Sequence, residues 1–222
     1  MSINKIIIAD DHPLFRSALV QALKTNMPDA SFYEAESISQ LEEILSDDNA
    51  DADLLLMDLH MPGANGFAGL SHVTRRYTQL PVVMISANED LSIAAKARQY
   101  GALGFIPKSS SIPMMQQSIE SVLIGDTCFP IGVESVELQK DNELENYIGK
   151  VSELTPKQLE VFNLLADGLL NKQIAYEQDV TEATVKAHVT AIMRKLGVNN
   201  RTQVVLIANK VNLDESFGEV GS

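Results

Sequence analysis

A chain of 222 residues is long enough for two modest domains, and no apolar run approaches membrane-spanning length. Hydrophobic content of 45% is ordinary for a globular chain, and the single cysteine, Cys128, excludes an intramolecular disulfide and fits a reducing cytosol. The net charge of -13 argues against nucleic acid as a partner for the whole chain, but it is spread unevenly: -7 over 1–125, -4 over 126–150, +1 over 151–213 and -3 over the remainder.

Residues 1–125 alternate β-branched runs with helical patterns. Residues 5–9 read as a strand. Residues 13–25 read as a helix with Leu14, Ala18, Leu19, Ala22 and Leu23 apolar, and 31–35 as a second, weaker strand. Ser37 is a good cap for a helix over 38–45. Then follow a strand at 53–58, a helix at 66–77, a strand at 81–85, a helix at 91–100 stopped by Gly101, a strand at 104–107 and a helix at 112–124 capped by Ser110 or Ser111. The opening run is short and broken by Asp10 and Asp11, unlike a secretory signal, so a cytoplasmic location is expected. Five βα units in strict alternation predict an α/β fold, a parallel sheet with helices on both faces.

The chemistry collects at the carboxyl ends of the strands, where open α/β sheets bind ligands. Asp10 and Asp11 close the first strand, Asp58 the third and Ser86 the fourth, while Lys108 follows the fifth. Met61-Pro62-Gly63 forces a loop after Asp58. Two carboxylates ~5 Å apart repel by roughly 3 kcal/mol at an effective dielectric of ~20. A hard divalent cation such as Mg²⁺, or Mn²⁺ in its place, offsets that repulsion with oxygen ligands. With Lys108 as a second positive group, the set suits phosphoryl transfer to Asp58.

Residues 126–150 are acidic and irregular, with Pro130, Gly132 and Gly149, and read as a linker with at most a short helix. In 151–213, Thr155-Pro156 with Gln158 marks a helix start running to Asp167, and Asn171 is expected to cap a short helix through Ala175. Thr181 starts a longer helix with Val185, Val189, Ile192 and Leu196 inward and Gly197 at its end. A fourth helix covers 201–210, and 214–222 reads as a flexible tail. A short helix, a tight connection and a longer helix form a helix-turn-helix pattern, here in an all-α four-helix domain.

Asp10-Asp11-His12-Pro13-Leu14-Phe15-Arg16, Asp58 with Met61-Pro62-Gly63, Ser86-Ala87 and Gly101-Ala102-x-Gly104-Phe105-x-x-Lys108 together resemble a two-component receiver domain. The resemblance implies a flavodoxin-like fold over about 1–125 and phosphorylation of Asp58 by a sensor histidine kinase. It implies Mg²⁺ held by Asp11, Asp58 and the main-chain carbonyl of His60, with Asp10 holding a metal-bound water. Ser86 and Phe105 match the switch hydroxyl and the switch aromatic, and Phe105 lacks the hydroxyl of the common tyrosine. Leu154-Thr155-Pro156, Asn171-Lys172, Thr184-Val185-Lys186-x-His188-Val189 and Lys195-Leu196 resemble a LuxR-type DNA-binding domain. The whole chain then resembles a NarL/FixJ-type response regulator.

By that resemblance Lys186, Ala187 and Thr190 face the major groove, Lys172, Thr184 and Arg194 are phosphate contacts, and His188 is a backbone or phosphate contact. Promoter DNA is the expected partner, with a homodimer on activation, RNA polymerase as a further partner and no membrane. A domain of net +1 binds DNA weakly alone, and a dimer doubles its contacts. The alternatives are a regulator whose DNA binding ignores phosphorylation, and an aspartyl-phosphate hydrolase. The hydrolase pattern wants Asp-x-Asp, and His60 stands where the second acid would be.

Overall fold

The computed structural model describes residues 5–46, 51–64, 66–138 and 141–216, with side chains described as far as Val211. It divides into two compact units, Met1–Gln139 and Lys140–Ser222.

The first unit alternates β1 (Lys5–Ala9), α1 (Pro13–Asn26), β2 (Ser31–Ala35), α2 (Ile38–Ser46), β3 (Leu54–Asp58), α3 (Phe67–Arg76), β4 (Val82–Ser86), α4 (Leu91–Gln99), β5 (Gly104–Pro107) and α5 (Ile112–Leu123). The five strands are all parallel, in the order β2-β1-β3-β4-β5, as expected for a flavodoxin-like sheet. β3 and β4 are buried along their whole length, which is why they read as continuous apolar runs. Successive side chains point to opposite faces. Ile6, Ile8, Leu54, Leu56, Val83 and Ile85 pack with Leu19 and Leu23 of α1 and Ile119 and Val122 of α5.

Two features lock the receiver-like unit away from its strand ends. Between α2 and α3, buried Glu42 accepts from Tyr77 Oη (2.8 Å) and bonds His72 Nε2 (2.8 Å), with Arg76 Nε 3.5 Å away. Burial alone would raise the Glu42 carboxyl, but His72, Tyr77 and Arg76 outweigh it and hold it below the usual range. After α5, Cys128 extends the sheet by one parallel bridge to Gly104. Phe105 N–H donates to Cys128 O (2.7 Å), and Cys128 N–H to Leu103 O (3.0 Å). A Cβ at position 104 would stand 2.1 Å from Cys128 Sγ, so only glycine fits there.

The expected linker is not one element. Residues 126–138 stay with the sheet unit, through the Cys128 bridge and a 3₁₀ turn at Val133–Ser135 whose Val133 is buried. The second half forms α6 (Asn142–Ser152) in the other unit, N-capped by Asp141, which accepts from Glu143 and Leu144 N–H. Its Leu144, Ile148 and Val151 recur at helical spacing and are buried, so the short helix allowed for this stretch is a packed one.

α6 is followed by α7 (Pro156–Ala166), α8 (Asn171–Glu177), α9 (Glu182–Leu196) and α10 (Arg201–Ser216). Thr155 and Gln158 form the expected capping box of α7. At α8 the expectation shifts by one residue. Leu170 is the cap position, its N–H donating to Gln173 Oε1, and Asn171 is already helical, its Oδ1 accepting from Arg201. α10 runs to Ser216, so residues 214–216 of the expected flexible tail are helical, and 217–222 lie outside the described residues. Among the described residues, no helix is long and apolar enough to cross a membrane.

Candidate functional site

Asp10 and Asp58 meet where β1 and β3 end side by side in the middle of the sheet. Asp10 N–H donates to Ala35 O (3.0 Å), tying the turn after β1 to β2. The loop after Asp58 is fixed by Ala64 N–H to Met61 O (3.0 Å) and by Ile38 N–H of α2 to Pro62 O (3.1 Å). Lys108 N–H donates to Ser86 O (2.7 Å), which carries the lysine from the end of β5 across the end of β4.

The result is one charged cluster. Lys108 Nζ lies 2.7 Å from Asp10 Oδ2 and 3.0 Å from Asp58 Oδ2, and 5.0 Å from the centre of the Phe15 ring. Asp10 and Asp58 are each 2% exposed. Burial pushes the Asp58 carboxyl up, Lys108 opposes this, and the charge of Asp10 adds to the rise; the net effect is a raised carboxyl. Burial alone would lower the Lys108 ammonium, but its bonds to Asp10 and Asp58 prevail and raise it. One lysine therefore faces two carboxylates.

Oxygens of Asp10, Asp11 and Asp58, with a His12 ring nitrogen, lie within 4.8 Å of one another. Asp10 Oδ2 and Asp11 Oδ1 are buried with no aligned hydrogen-bond donor. Lys108 stands at ion-pair distance from the first and His12 Nδ1 is 2.7 Å from the second, neither with hydrogen-bond geometry. One lysine leaves three clustered carboxylates short of positive charge, and a set of carboxylate oxygens suits a hard divalent ion. The cluster fits a metal on the chemistry of its donors.

His60 N–H bonds the Asp58 carboxylate. Ser86 is fully buried, and its Oγ accepts from Asn88 N–H (3.1 Å). Phe105 is buried at 3% exposure, packed in the core. Sequence reasoning quoted His12 and Arg16 but gave them no role. His12 N–H donates to Asp10 Oδ1 (2.8 Å). Arg16 Nη1 donates to Asp10 O (2.5 Å) while its Nε reaches Glu34 Oε2 (3.3 Å), so the acidic turn is braced from α1. The signal was the placement of Arg16 on the first turn of the helix that follows the acids.

In the helical unit, α8 and α9 form the helix-turn-helix, joined by a turn in which Asp179 adopts a positive φ of 51°. α9 buries Val185, Val189, Ile192 and Leu196, as expected. Its opposite side presents Lys186, Ala187, Thr190 and Arg194 to solvent, and α8 presents Lys172. Thr184 and His188 are half-buried. Two hydroxyls have partners within the helix: Thr184 Oγ1 with Thr181 Oγ1 (2.9 Å), and Thr190 Oγ1 donating to Lys186 O (2.9 Å). Arg201 of α10 binds Asn171 Oδ1 (3.1 Å) and Leu169 O, bracing the start of α8.

An acidic, lysine-capped cluster on a five-stranded parallel sheet, followed by a helix-turn-helix, defines a phosphoacceptor regulator of transcription. Comparison with known proteins agrees: residues 6–120 match the response regulator receiver domain, and residues 152–208 match the bacterial regulatory proteins of the luxR family. The chain belongs to the response regulators of the NarL/FixJ type. It is 40% identical to the glycerol metabolism activator of Pseudomonas putida, over 94% of this chain and 96% of that one. It is 28% identical to the nitrate/nitrite response regulator protein NarL of Escherichia coli, over 90% and 93%. Among solved structures, RcsB of Salmonella typhimurium shares the fold, with a TM-score of 0.55 and 23% identity over 93% of this chain and 98% of that one. A receiver of this family implies a histidine kinase as partner.

Proposed function

We propose that Asp58 accepts a phosphoryl group from the phosphohistidine of a partner kinase, and that this controls how the chain binds promoter DNA. The single observation that carries the reading is Lys108 Nζ bridging Asp10 and Asp58 at 2.7 and 3.0 Å. Asp58 attacks phosphorus in line, an O–P bond forms as the P–N bond breaks, and the imidazole leaves with the electron pair. Lys108 stays at the carboxylates and neutralises the incoming phosphoryl oxygens. Asp11, Asp58 and the His60 carbonyl would hold Mg²⁺, or Mn²⁺, with Asp10 behind a bound water; the ion supplies positive charge to the same oxygens. Ser86 then gives up Asn88 for the phosphoryl group, and Phe105 moves into the space that Ser86 leaves.

Lys186, Ala187 and Thr190 read the major groove, and Lys172, Thr184, His188 and Arg194 meet the backbone. The Thr190 hydroxyl already bonds within α9, which leaves Lys186 as the long donor of the reading face. A homodimer on promoter DNA, with RNA polymerase as a further partner, completes the reading. The DNA-bound homodimer alone draws support from a solved structure of two RcsB dimers bound to two parallel DNAs, a protein 23% identical to this chain.

The test is labelling by a small acyl phosphate with Mg²⁺. Wild-type chain labels stoichiometrically and Asp58→Asn does not. Persistent stoichiometric labelling of Asp58→Asn would refute the assignment, and it would leave the DNA-binding half untouched.

A further inference from the structure

α6, the first helix of the helical unit, grips one particular place, the carboxyl end of α9. The last four carbonyls of a helix have no intrahelical donor. In α9, Gly197 turns left-handed (φ 73°), with its N–H on Arg194 O (3.3 Å) and Val198 N–H on Met193 O (2.9 Å). That closing motif satisfies two carbonyls and leaves those of Lys195 and Leu196. Lys150 Nζ, reaching from α6, donates to Leu196 O at 2.9 Å.

The exchange is reciprocal. Glu153 caps the carboxyl end of α6, and Lys195 Nζ of α9 donates to Glu153 O at 2.7 Å. Each ammonium thus meets an otherwise orphaned carbonyl at the negative end of the other helix's dipole. Between these contacts and the amino end of α6, Leu144, Ile148 and Val151 are 9%, 1% and 0% exposed. At that amino end, Lys210 of α10 pairs with Glu143 (2.6 Å) and Asp141 (3.4 Å).

The geometry points to α6 as a strap that sets the position of the recognition helix, with Lys150 and Lys195 as positioning residues for DNA binding. This rests on the helix-turn-helix reading above. α6 need not touch DNA to act. Arg194 sits in the turn whose end Lys150 holds, and Lys186, Ala187 and Thr190 ride on the same rigid helix. A strap released at this end lets α9 rotate or fray, and every reader on it loses register together. The strap is also the first helix after the sheet unit in the chain.

The test uses the full chain and a short duplex enriched from a random pool by the wild-type protein. Lys150→Met keeps the apolar stem and removes the donor, and Lys150→Arg returns one. Lys150→Met is expected to lose about tenfold in affinity for that duplex and to speed amide exchange in the last turn of α9 by about tenfold, with α7 still protected. Lys150→Arg recovers most of both. Lys195→Met, which breaks the other half of the exchange, gives the same pattern, and it carries the test if Lys150→Met fails to fold. Acyl-phosphate labelling at Asp58 stays at the wild-type level throughout. If the wild-type chain enriches no duplex, the DNA-binding reading itself falls, and the exchange measurement alone decides the strap. Wild-type affinity and exchange in the Met variants would overturn the inference. So would exchange rising evenly through α7–α10 in step with a lower melting temperature, the mark of a purely structural loss.

Discussion

The two units hold their working groups in opposite ways. In the sheet unit the groups are buried before any partner arrives: Asp10, Asp58, Ser86 and Phe105 are each 3% exposed or less. In the helical unit Lys172, Lys186, Ala187, Thr190 and Arg194 are exposed, and only the far side of α9 is packed. The first site carries its electrostatic strain in the free protein, whereas the second has nothing to strain until DNA approaches. Substitutions in the first should therefore change the free chain, and those in the second only the complex.

The largest effect to break that contrast is at Lys108. Lys108→Met strands two buried carboxylates, and a broken buried pair of this kind costs on the order of 3 kcal/mol. Urea unfolding should show it, with Mg²⁺ returning much of the loss; an unchanged midpoint would place the strain elsewhere. The pH dependence carries two signs. Lys108 is raised above its ordinary 10.5, so its stabilisation is whole below that pH and is lost as pH climbs through the higher folded value. Asp58 is raised above 3.8, so stability falls as pH rises from there through its folded value, and Asp58→Asn should remove that slope.

Next in size is the DNA face. Lys186→Ala is expected to cost about 1–3 kcal/mol on an enriched duplex, with little loss on random DNA and no change in melting temperature. Lys172→Ala should weaken all duplexes alike and lower the salt slope by about 1. Equal losses from Lys186→Ala on both duplexes would make it a backbone contact instead. The smallest effect is in the helix-turn-helix turn. Asp179→Gly relieves a positive φ and should gain about 0.5 kcal/mol, read as a later unfolding midpoint with unchanged affinity.

The same contrast explains what was legible in the sequence. Alternation predicts the parallel sheet, the receiver resemblance supplies its flavodoxin-like order, and 31–35 and 104–107 appear as strands with the expected bounds. The fourth strand slid by one residue, because Ser86 reads as the polar group after a strand although it still pairs with Pro107 in the ladder. Strand ends bring Asp10, Asp58 and Lys108 together from distant positions, so the sheet cluster was readable from topology. The braces were not. Arg16 to the Asp10 carbonyl, His72 to Glu42 and Lys150 to the Leu196 carbonyl are side-chain contacts that no local period encodes. α6 was blurred for a different reason: the apolar residues from Val133 to Val151 share no single helical register, because Val133 belongs to the 3₁₀ turn and only Leu144, Ile148 and Val151 lie on one buried face of α6.

The Cys128 bridge against Gly104 has a practical consequence for anyone handling this regulator. Burial pushes the thiol up to about 11, so near neutrality it is almost wholly protonated and a poor target for maleimides or peroxides. A cysteine introduced at a solvent-facing position on α9 would then be the one reactive handle on an otherwise silent chain, ready for a fluorophore that watches the recognition helix move.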